Sequence, residues 1–458
     1  MPLVALLLAC LATALPAAQG ESVDRLLATV PAGGEVAVVV YDTTRRQLTY
    51  SRNGSLQLVP ASVAKLLVSA AALLELGPDW TFKTRLTALG PLHNGVIPGL
   101  GIDANGDPCL DEHHSEGDPE RFFRSWASRL AAAGVRRIDG DLVVDRSRFS
   151  GPSKPASWPQ DHANQQSWFS APSSAFAWND NCLRIRIIPG DVGRPCTVDV
   201  QPRSPRVPVT NKTTTAAKAA NNVIANRERY GNATTVSGTY SRRSEWLALA
   251  LHDEADLAAA DHLKMVIERS GIPISGKVVA GKVPHDSREL VLETHTMGQA
   301  LDILNQRSIN FYGEQIIRTL GWLKFQEGST DAGTRAVGQI LRHHLGADLA
   351  GWTLADGSGL SYDNRACADL LARLLVFMDA HPLGERYRAT LKPMDHGTAH
   401  GLVKTGTLAI ARGLAGYLDH GDGRRSCFVI LINKGEARTS GWMVGLREKL
   451  FAAIAESL

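Results

Sequence analysis

The sequence predicts an α+β protein in which a domain of antiparallel strands flanked by helices is split by a long β-rich insertion. Three observations carry this. Both ends of the chain mix β-prone runs with helical periodicity: residues 35–41 (EVAVVVY) near the start, and 413–418 and 426–432 near the end. From 81 to 243 the texture changes to short apolar pieces broken by Gly90-Pro91, Pro98-Gly99, Asn105-Gly106-Asp107-Pro108 and Gly151-Pro152-Ser153, a pattern of strands and turns. Finally, 458 residues exceed one core, and at about 100–200 residues per domain two or three are expected. The expected divisions are a leader at 1–20, the first part of the split domain at 21–80, the insertion at 81–243 and the second part at 244–458.

In chain order, residues 3–15 form an uncharged apolar core followed by Pro16 and the small residues Ala17, Ala18 and Gly20. They read as an export signal cleaved after Gly20. No Lys or Arg precedes the core, which suggests a start further upstream. Leu7-Leu8-Ala9-Cys10 loosely resembles a lipoprotein box, but the apolar stretch ahead of it is short. A helix at 22–30, strands at 35–41 and 48–50, and an Asn53-Gly54 turn lead to a helix from Ser62 to about 76, stopped by Gly77-Pro78. The insertion carries a helix at 119–133, strands at 140–145 and 182–189, and an extended piece at 202–215. Helices follow at 244–252, 257–270, 296–305, 310–323, 333–345 and 368–378. The last two strands are joined by a turn at 419–425. A final helix at 442–458 packs Trp442, Val444, Leu446, Leu450 and Ile454 on the sheet rather than on a membrane. No segment after the leader approaches the ~18 consecutive apolar residues of a membrane span.

Composition narrows the function. Hydrophobic residues at 44% and charged residues at 21% are those of an ordinary globular protein. A net charge of +3, with basic pairs scattered at Arg136-Arg137, Arg242-Arg243 and Arg424-Arg425, offers no stripe for a phosphate backbone, so nucleic acid is not an expected partner. Beyond the leader stand Cys109, Cys182, Cys196, Cys367 and Cys427. An exported chain permits disulfides; Cys182 with Cys196 would close a short loop, one cysteine must stay free, and the pairing is open.

The chemistry concentrates in three short motifs. Ser62-Val63-Ala64-Lys65 puts a hydroxyl and an amine on one helical face, a nucleophile with its base beside it, in a first turn whose free N–H groups favour developing negative charge. Taken alone this pair is a common coincidence. Two partners follow in order: Ser308-Ile309-Asn310, a second hydroxyl and an amide, and Lys404-Thr405-Gly406-Thr407, a cation with hydroxyls suited to a carboxylate. Lys65 is the one lysine with a serine three positions before it, and Lys404 the one that opens Lys-Ser/Thr-Gly. Gly406 is expected where a strand edge lies against an acyl group. The trio is that of penicillin-binding proteins and related β-lactamases. The cluster Cys109, Asp111, Glu112, His113 and His114 reads as a polar surface loop, without a second ligand group of matching spacing for a metal. His396 and His400 read as ordinary histidines, since this chemistry has a lysine base.

The chain resembles the D-alanyl-D-alanine carboxypeptidase/endopeptidase family of low-molecular-mass class C penicillin-binding proteins, peptidase family S13, of the penicillin-binding protein 4 type. The likeness rests on PASVAKLLVSAAAL at Pro60, GDPCL at Gly106, GDLVVDRSRF at Gly140, SAPSSAFAWNDN at Ser170, RSINFYGEQIIRTLG at Arg307, DGSGLS at Asp356 and KTGTL at Lys404. It implies a serine β-lactamase/DD-peptidase-like domain, with the family's extra domains between Ser62 and Ser308. It also implies roles. Ser62 attacks the penultimate D-alanine carbonyl of a peptidoglycan stem peptide, and Lys65, kept neutral by its surroundings and by Lys404, takes the proton. Ser308 passes a proton to the leaving amine, and Asn310 holds the substrate amide and Lys65. Lys404, Thr405 and Thr407 bind the terminal carboxylate beside Gly406, and the N–H groups of Ser62 and Thr407 form the oxyanion hole. β-Lactams become trapped on Ser62, and no cofactor is implied. The alternatives are a serine β-lactamase or esterase on the same fold, or a non-catalytic peptidoglycan-binding protein. Two departures from the family's pattern are a short segment before Lys404, where Gly397-Thr398 almost abuts Gly401, and Tyr362 where arginine is common.

Overall fold

The computed structural model describes residues 17–218, 221–241, 246–346, 352–420 and 423–457. The apolar core of the leader therefore lies outside the described residues. The valine-rich strand β1 (Glu35–Asp42) runs antiparallel to the strand Arg425–Asn433 from Glu35 opposite Asn433 to Asp42 opposite Ser426. Both are buried on both faces, which is why they read as continuous apolar runs rather than alternating ones.

These two strands are interior strands of a six-stranded antiparallel sheet. With β2 (Gln47–Arg52), β3 (Lys392–Pro393), β4 (His400–Leu408), β5 (Ala411–Asp419) and β6 (Arg425–Asn433), its order is β3-β4-β5-β6-β1-β2. One face is covered by α1 (Ala17–Leu27) and the C-terminal helix: Val36, Val38, Val40, Leu414, Phe428, Ile430 and Ile432 pack with Val23, Met443, Leu446, Leu450, Phe451 and Ile454. On the other face lie α2 (Lys65–Leu76), α3 (Met297–Gln306), α4 (Asn310–Phe325), α5 (Thr330–Leu345), α6 (Ala368–Ala380) and α7 (Gly384–Ala389), with α6 directly on β1 and β6. Every residue of α2 from Lys65 to Leu73 is buried, so this is a core helix rather than an amphipathic one. The last helix is α8 (Trp442–Ser457). Its buried stripe includes Met443 and Phe451, whereas Val444, expected in that stripe, is 38% exposed.

This unit comprises residues 1–80, 297–321 and 330–458; a second comprises 81–296 and 322–329. The second unit begins where the change of texture suggests but extends past 243. Helix Ala255–Arg269 and strands Val278–Gly281 and Arg288–Thr296 complete it: the helix packs in its core, and the strands form both edges of its five-stranded sheet. Two three-stranded sheets complete its β-rich character.

One element changes type. The helix expected at 244–252 is a strand, Trp246–Ala250, paired with Cys182–Ile188 so that Trp246 faces Arg186; residues 242–245 lie outside the described ones. A five-residue apolar run has no period long enough to distinguish strand from helix. Pairing decides it, reinforced by Arg184 and Arg186 stacked 5.0 and 5.9 Å over the Trp246 ring. The suggested Cys182–Cys196 bridge is also absent: both thiols are unbridged and buried. Strand Cys182–Ile188 pairs with Thr197–Gln201 so that Ile188 faces Thr197. Cys182 thus lies at the far end of that hairpin from Cys196.

Candidate active site

Ser62 does not lie in the first turn of an α-helix, as its spacing suggests, but in a tighter 3₁₀ turn, Ala61–Ala64, that feeds α2 at Lys65. Ala61 begins this turn at φ +51, a left-handed conformation that costs a non-glycine residue about 1–3 kcal/mol and persists because the surroundings enforce it. Those surroundings are β4 and β5, against which the turn packs. Gly406 of β4 makes the approach possible. A side chain there would begin 2.7 Å from the Pro60 carbonyl oxygen and 3.2 Å from the Ser62 nitrogen. The glycine thus lets the strand press on the nucleophile turn itself, a more direct reason than room for an acyl group, and it leaves the Ser62 amide facing β4.

Lys65 gathers the site. Its Nζ is 3.0 Å from Ser62 Oγ, 2.8 Å from Asn310 Oδ1 and 2.5 Å from the Ser358 carbonyl oxygen. A neutral amine suits this set: two N–H groups donate to the two carbonyl oxygens, and the lone pair faces the serine hydroxyl. Asn310 opens α4, and Ser308, between α3 and α4, adopts φ +60. This second strained residue turns its hydroxyl to Lys404, whose Nζ donates to Ser308 Oγ at 2.7 Å and to the Thr405 carbonyl at 2.9 Å. Lys65 and Lys404 are buried, while Ser62, Ser308 and Thr405 are half-buried and Thr407 is exposed. The two hydroxyls therefore meet a cleft whose bases are sealed behind them.

The loop 356–361 supplies what sequence reasoning missed, namely the carbonyl that holds Lys65 and the acid that shapes it. Asp356 is fully buried and accepts from the N–H of Gly359 and Ser361 at 2.7 Å each, from Asn364 Nδ2 at 2.8 Å and from Ser358 Oγ at 3.2 Å. Gly359, at φ +79, packs where a side chain would begin 2.1 Å from the Ala61 oxygen. The loop and the nucleophile turn are thus locked together. The DGSGLS run is visible in the sequence as a turn, but its use as a ligand of Lys65 needs the fold.

Electrostatics follow from burial. Desolvation lowers Lys65 to about 7, against the opposing pull of Asp356 and Glu314. Lys404 is held well below its ordinary value by desolvation and then by the charges of Lys65 and Lys392. Burial is the largest cause for both lysines, and the repulsion between them is the next cause for Lys404. Glu314, on α4, is raised to about 8 by burial and by Asp356.

Other candidates lie elsewhere. His396 pairs with Glu456 at 3.1 Å and His400 with Asp395 at 3.4 Å, both on the surface. In the second unit, Asp111 and His113 are joined by Asp180, their ligand atoms within 4.8 Å of one another. Asp180 is distant in sequence and was not legible as a neighbour. Asp111 Oδ1 itself accepts from the backbone of His113 and His114 and lies 2.9 Å from the His114 ring, the pattern of a hydrogen-bonded turn.

The geometry can be set beside known proteins. Residues 19–448 match the model of the D-Ala-D-Ala carboxypeptidase 3 (S13) family. The chain belongs to this family. This S13 chain is 30% identical to a D-alanyl-D-alanine carboxypeptidase of Actinomadura sp. (strain R39), over 90% of its own length and 80% of that protein's. It is 25% identical to D-alanyl-D-alanine carboxypeptidase DacB of Haemophilus influenzae, over 92% and 89%. The crystal structure of penicillin binding protein 4 (dacB) from H. influenzae shares its fold, with a TM-score of 0.76 at 23% identity, covering 94% of this chain and 99% of that one. A second structure of that protein, complexed with a β-lactam, has a TM-score of 0.72 at 23% identity over 94% and 98%. The S13 domain is thus α+β with two serines, two lysines and an asparagine joined by hydrogen bonds: Lys65 to Ser62 and Asn310, and Lys404 to Ser308.

Proposed function

We propose that this protein is a serine DD-peptidase of the bacterial cell wall. It hydrolyses D-Ala-D-Ala termini of peptidoglycan stem peptides, and cross-links of the same chemistry, through an acyl-enzyme on Ser62. Family membership supports the reaction class, and one observation carries the mechanism: Lys65 Nζ reaches Ser62 Oγ, Asn310 Oδ1 and the Ser358 oxygen together. Ser62 Oγ attacks the carbonyl carbon as its proton passes to the Lys65 lone pair. The oxyanion forms against the N–H groups of Ser62 and Thr407, fixed by the contact of Gly406 with the nucleophile turn. Collapse expels the D-alanine amine, which takes a proton through Ser308. Lys404, with Thr405 and Thr407, holds the terminal carboxylate; an anion there restores the charge that burial suppresses on this lysine. Water attacks the ester with Lys65 as base and frees Ser62. β-Lactams enter by the same attack, and their adduct keeps its leaving group tethered in the cleft. The leader fits an exported enzyme, and no described helix is long and apolar enough to cross a membrane.

The test is labelling with a fluorescent penicillin, together with D-alanine release from a pentapeptide. Wild type is expected to do both and Ser62→Ala neither. Release of D-alanine by Ser62→Ala at the wild-type rate would reject the acyl-enzyme.

A further inference from the structure

Behind Lys65, on the side away from the cleft, lies a carboxyl that the mechanism above leaves unused. Glu314 follows Asn310 by four residues on α4, so the two share a helix face. It is fully buried. Its Oε1 accepts the Gly357 N–H at 2.9 Å, and its Oε2 has no hydrogen-bond partner among the described residues. Gly357 precedes Ser358, whose carbonyl oxygen receives one Lys65 N–H. The charged groups around this carboxyl are Lys65 from the nucleophile turn, Asp356 from the 356–361 loop and Arg318 one turn along α4. Arg318 in turn donates to Thr330 and faces Asp331 of α5, while Lys404 of β4 lies beyond Lys65.

The two buried acids differ in how they are satisfied. Both oxygens of Asp356 are met by donors, the N–H groups of Gly359 and Ser361, Asn364 Nδ2 and the Ser358 hydroxyl among them. Glu314 has the Gly357 N–H on Oε1 and the Ser358 hydroxyl close by, with no full hydrogen bond on Oε2 among the described residues. A bare anionic oxygen in such a place is expensive, and a proton relieves most of that cost.

We propose that Glu314 is a positioning residue for Lys65: it anchors the loop at the Gly357 N–H, one residue before the Ser358 carbonyl that receives the lysine N–H, and its second oxygen holds the proton that the lysine gives up. This rests on the acyl-enzyme chemistry proposed above. The balance is simple: an ammonium and a carboxylate become an amine and a carboxylic acid, with no net charge gained or lost by the pair. Burial supports it, since it raises Glu314 to about 8 and lowers Lys65 to about 7. An acid placed above the base it faces leaves both neutral, and the lysine is then ready to accept the Ser62 proton. The two groups titrate as a unit.

The test measures the rate of Ser62 labelling by a fluorescent penicillin from pH 5 to 9, on the full chain, for wild type, Glu314→Gln and Glu314→Asp. Glutamine keeps an oxygen for the Gly357 N–H and removes the proton site. The wild-type acid limb is expected to spread over two ionisations. In Glu314→Gln it contracts to one, because the lysine then titrates with no second proton site beside it. Glu314→Asp, one methylene shorter, moves the same way by less. A Glu314→Gln limb that superimposes on wild type overturns the proposal, as does an equal loss at every pH, the mark of a purely structural role. If Glu314→Gln fails to fold by circular dichroism, the Glu314→Asp limb decides by the same criteria. A wild type that takes no label overturns the acyl-enzyme reading itself, and this inference with it.

Discussion

The nucleophile turn and strand β4 each bury a lysine beside a serine hydroxyl: Lys65 lies 3.0 Å from Ser62 and Lys404 lies 2.7 Å from Ser308. Their surroundings differ in sign. Lys65 faces Asp356 and Glu314, which partly offset its desolvation, whereas the charges acting on Lys404 are cations, Lys65 and Lys392. One lysine is balanced near neutrality and can exchange a proton. The other is held well below its ordinary proton affinity by burial and by neighbouring cations, a place suited to an anion. The same residue type thus yields a base in one region and an anion receptor in the other, and the choice is made by neighbours several elements away.

The comparison can be broken at several points. Replacing the base has the largest effect: Lys65→Ala should slow acylation by about 10²–10⁴-fold, the range of a lost general base, measured as the rate of penicillin labelling. In wild type that rate should rise with pH through about 7, since Lys65, lowered to about 7, must lose its proton to act. Gly406→Ala comes next. Its new methyl group would begin 2.7 Å from the Pro60 oxygen, and displacing the nucleophile turn by even an ångström should cost about 10²-fold in the same assay.

Lys404→Met sharpens the contrast between the lysines. It should raise KM for a peptide with a free terminal carboxylate by about 30-fold or more, the minimum for a truncated buried ion partner. The acid-limb midpoint of acylation in this variant reads the repulsion between the two lysines. A midpoint that rises makes the charge of Lys404 a control on Lys65, and an unchanged midpoint leaves burial in that role. For the wild type, carboxylate binding should be accompanied by proton uptake and weaken as pH rises, seen by calorimetry in buffers of different ionisation enthalpy. The smallest effect belongs to the surface. His396→Ala removes the surface pair with Glu456 and an edge contact with the Phe451 ring; it should change stability by less than about 1 kcal/mol, and turnover not at all.

How far the sequence could be read depends on the range of the interactions involved. Helices α3, α4, α5 and α6, with apolar periodicity over ten or more residues, were legible to within a few positions. So were β1 and β6, whose apolar runs reflect cover on both faces. The strand Trp246–Ala250 was not, because five apolar residues carry no decisive period. The limit of the second unit at 296 was not either, because Val278–Gly281 and Arg288–Thr296 acquire their place by pairing with Leu142–Asp145 and Thr81–Ala88. The motifs at Ser62, Ser308 and Lys404 were readable because each is local and their order is distinctive. The Ser358 carbonyl and Glu314 were not, since a backbone oxygen has no sequence signature and a lone glutamate on a helix usually faces water.

By itself, the sequence determined which groups could react: a serine with a lysine three positions on, a serine with an asparagine two positions on, and a lysine before Thr-Gly-Thr. Those are short-range facts, written in spacing. Tertiary structure alone decided what each group is at neutral pH. Proton affinity depends on desolvation and on charges brought close from distant parts of the chain. Glu314, Ser358 and Asp356 meet Lys65 only when α4 and the 356–361 loop close around the nucleophile turn.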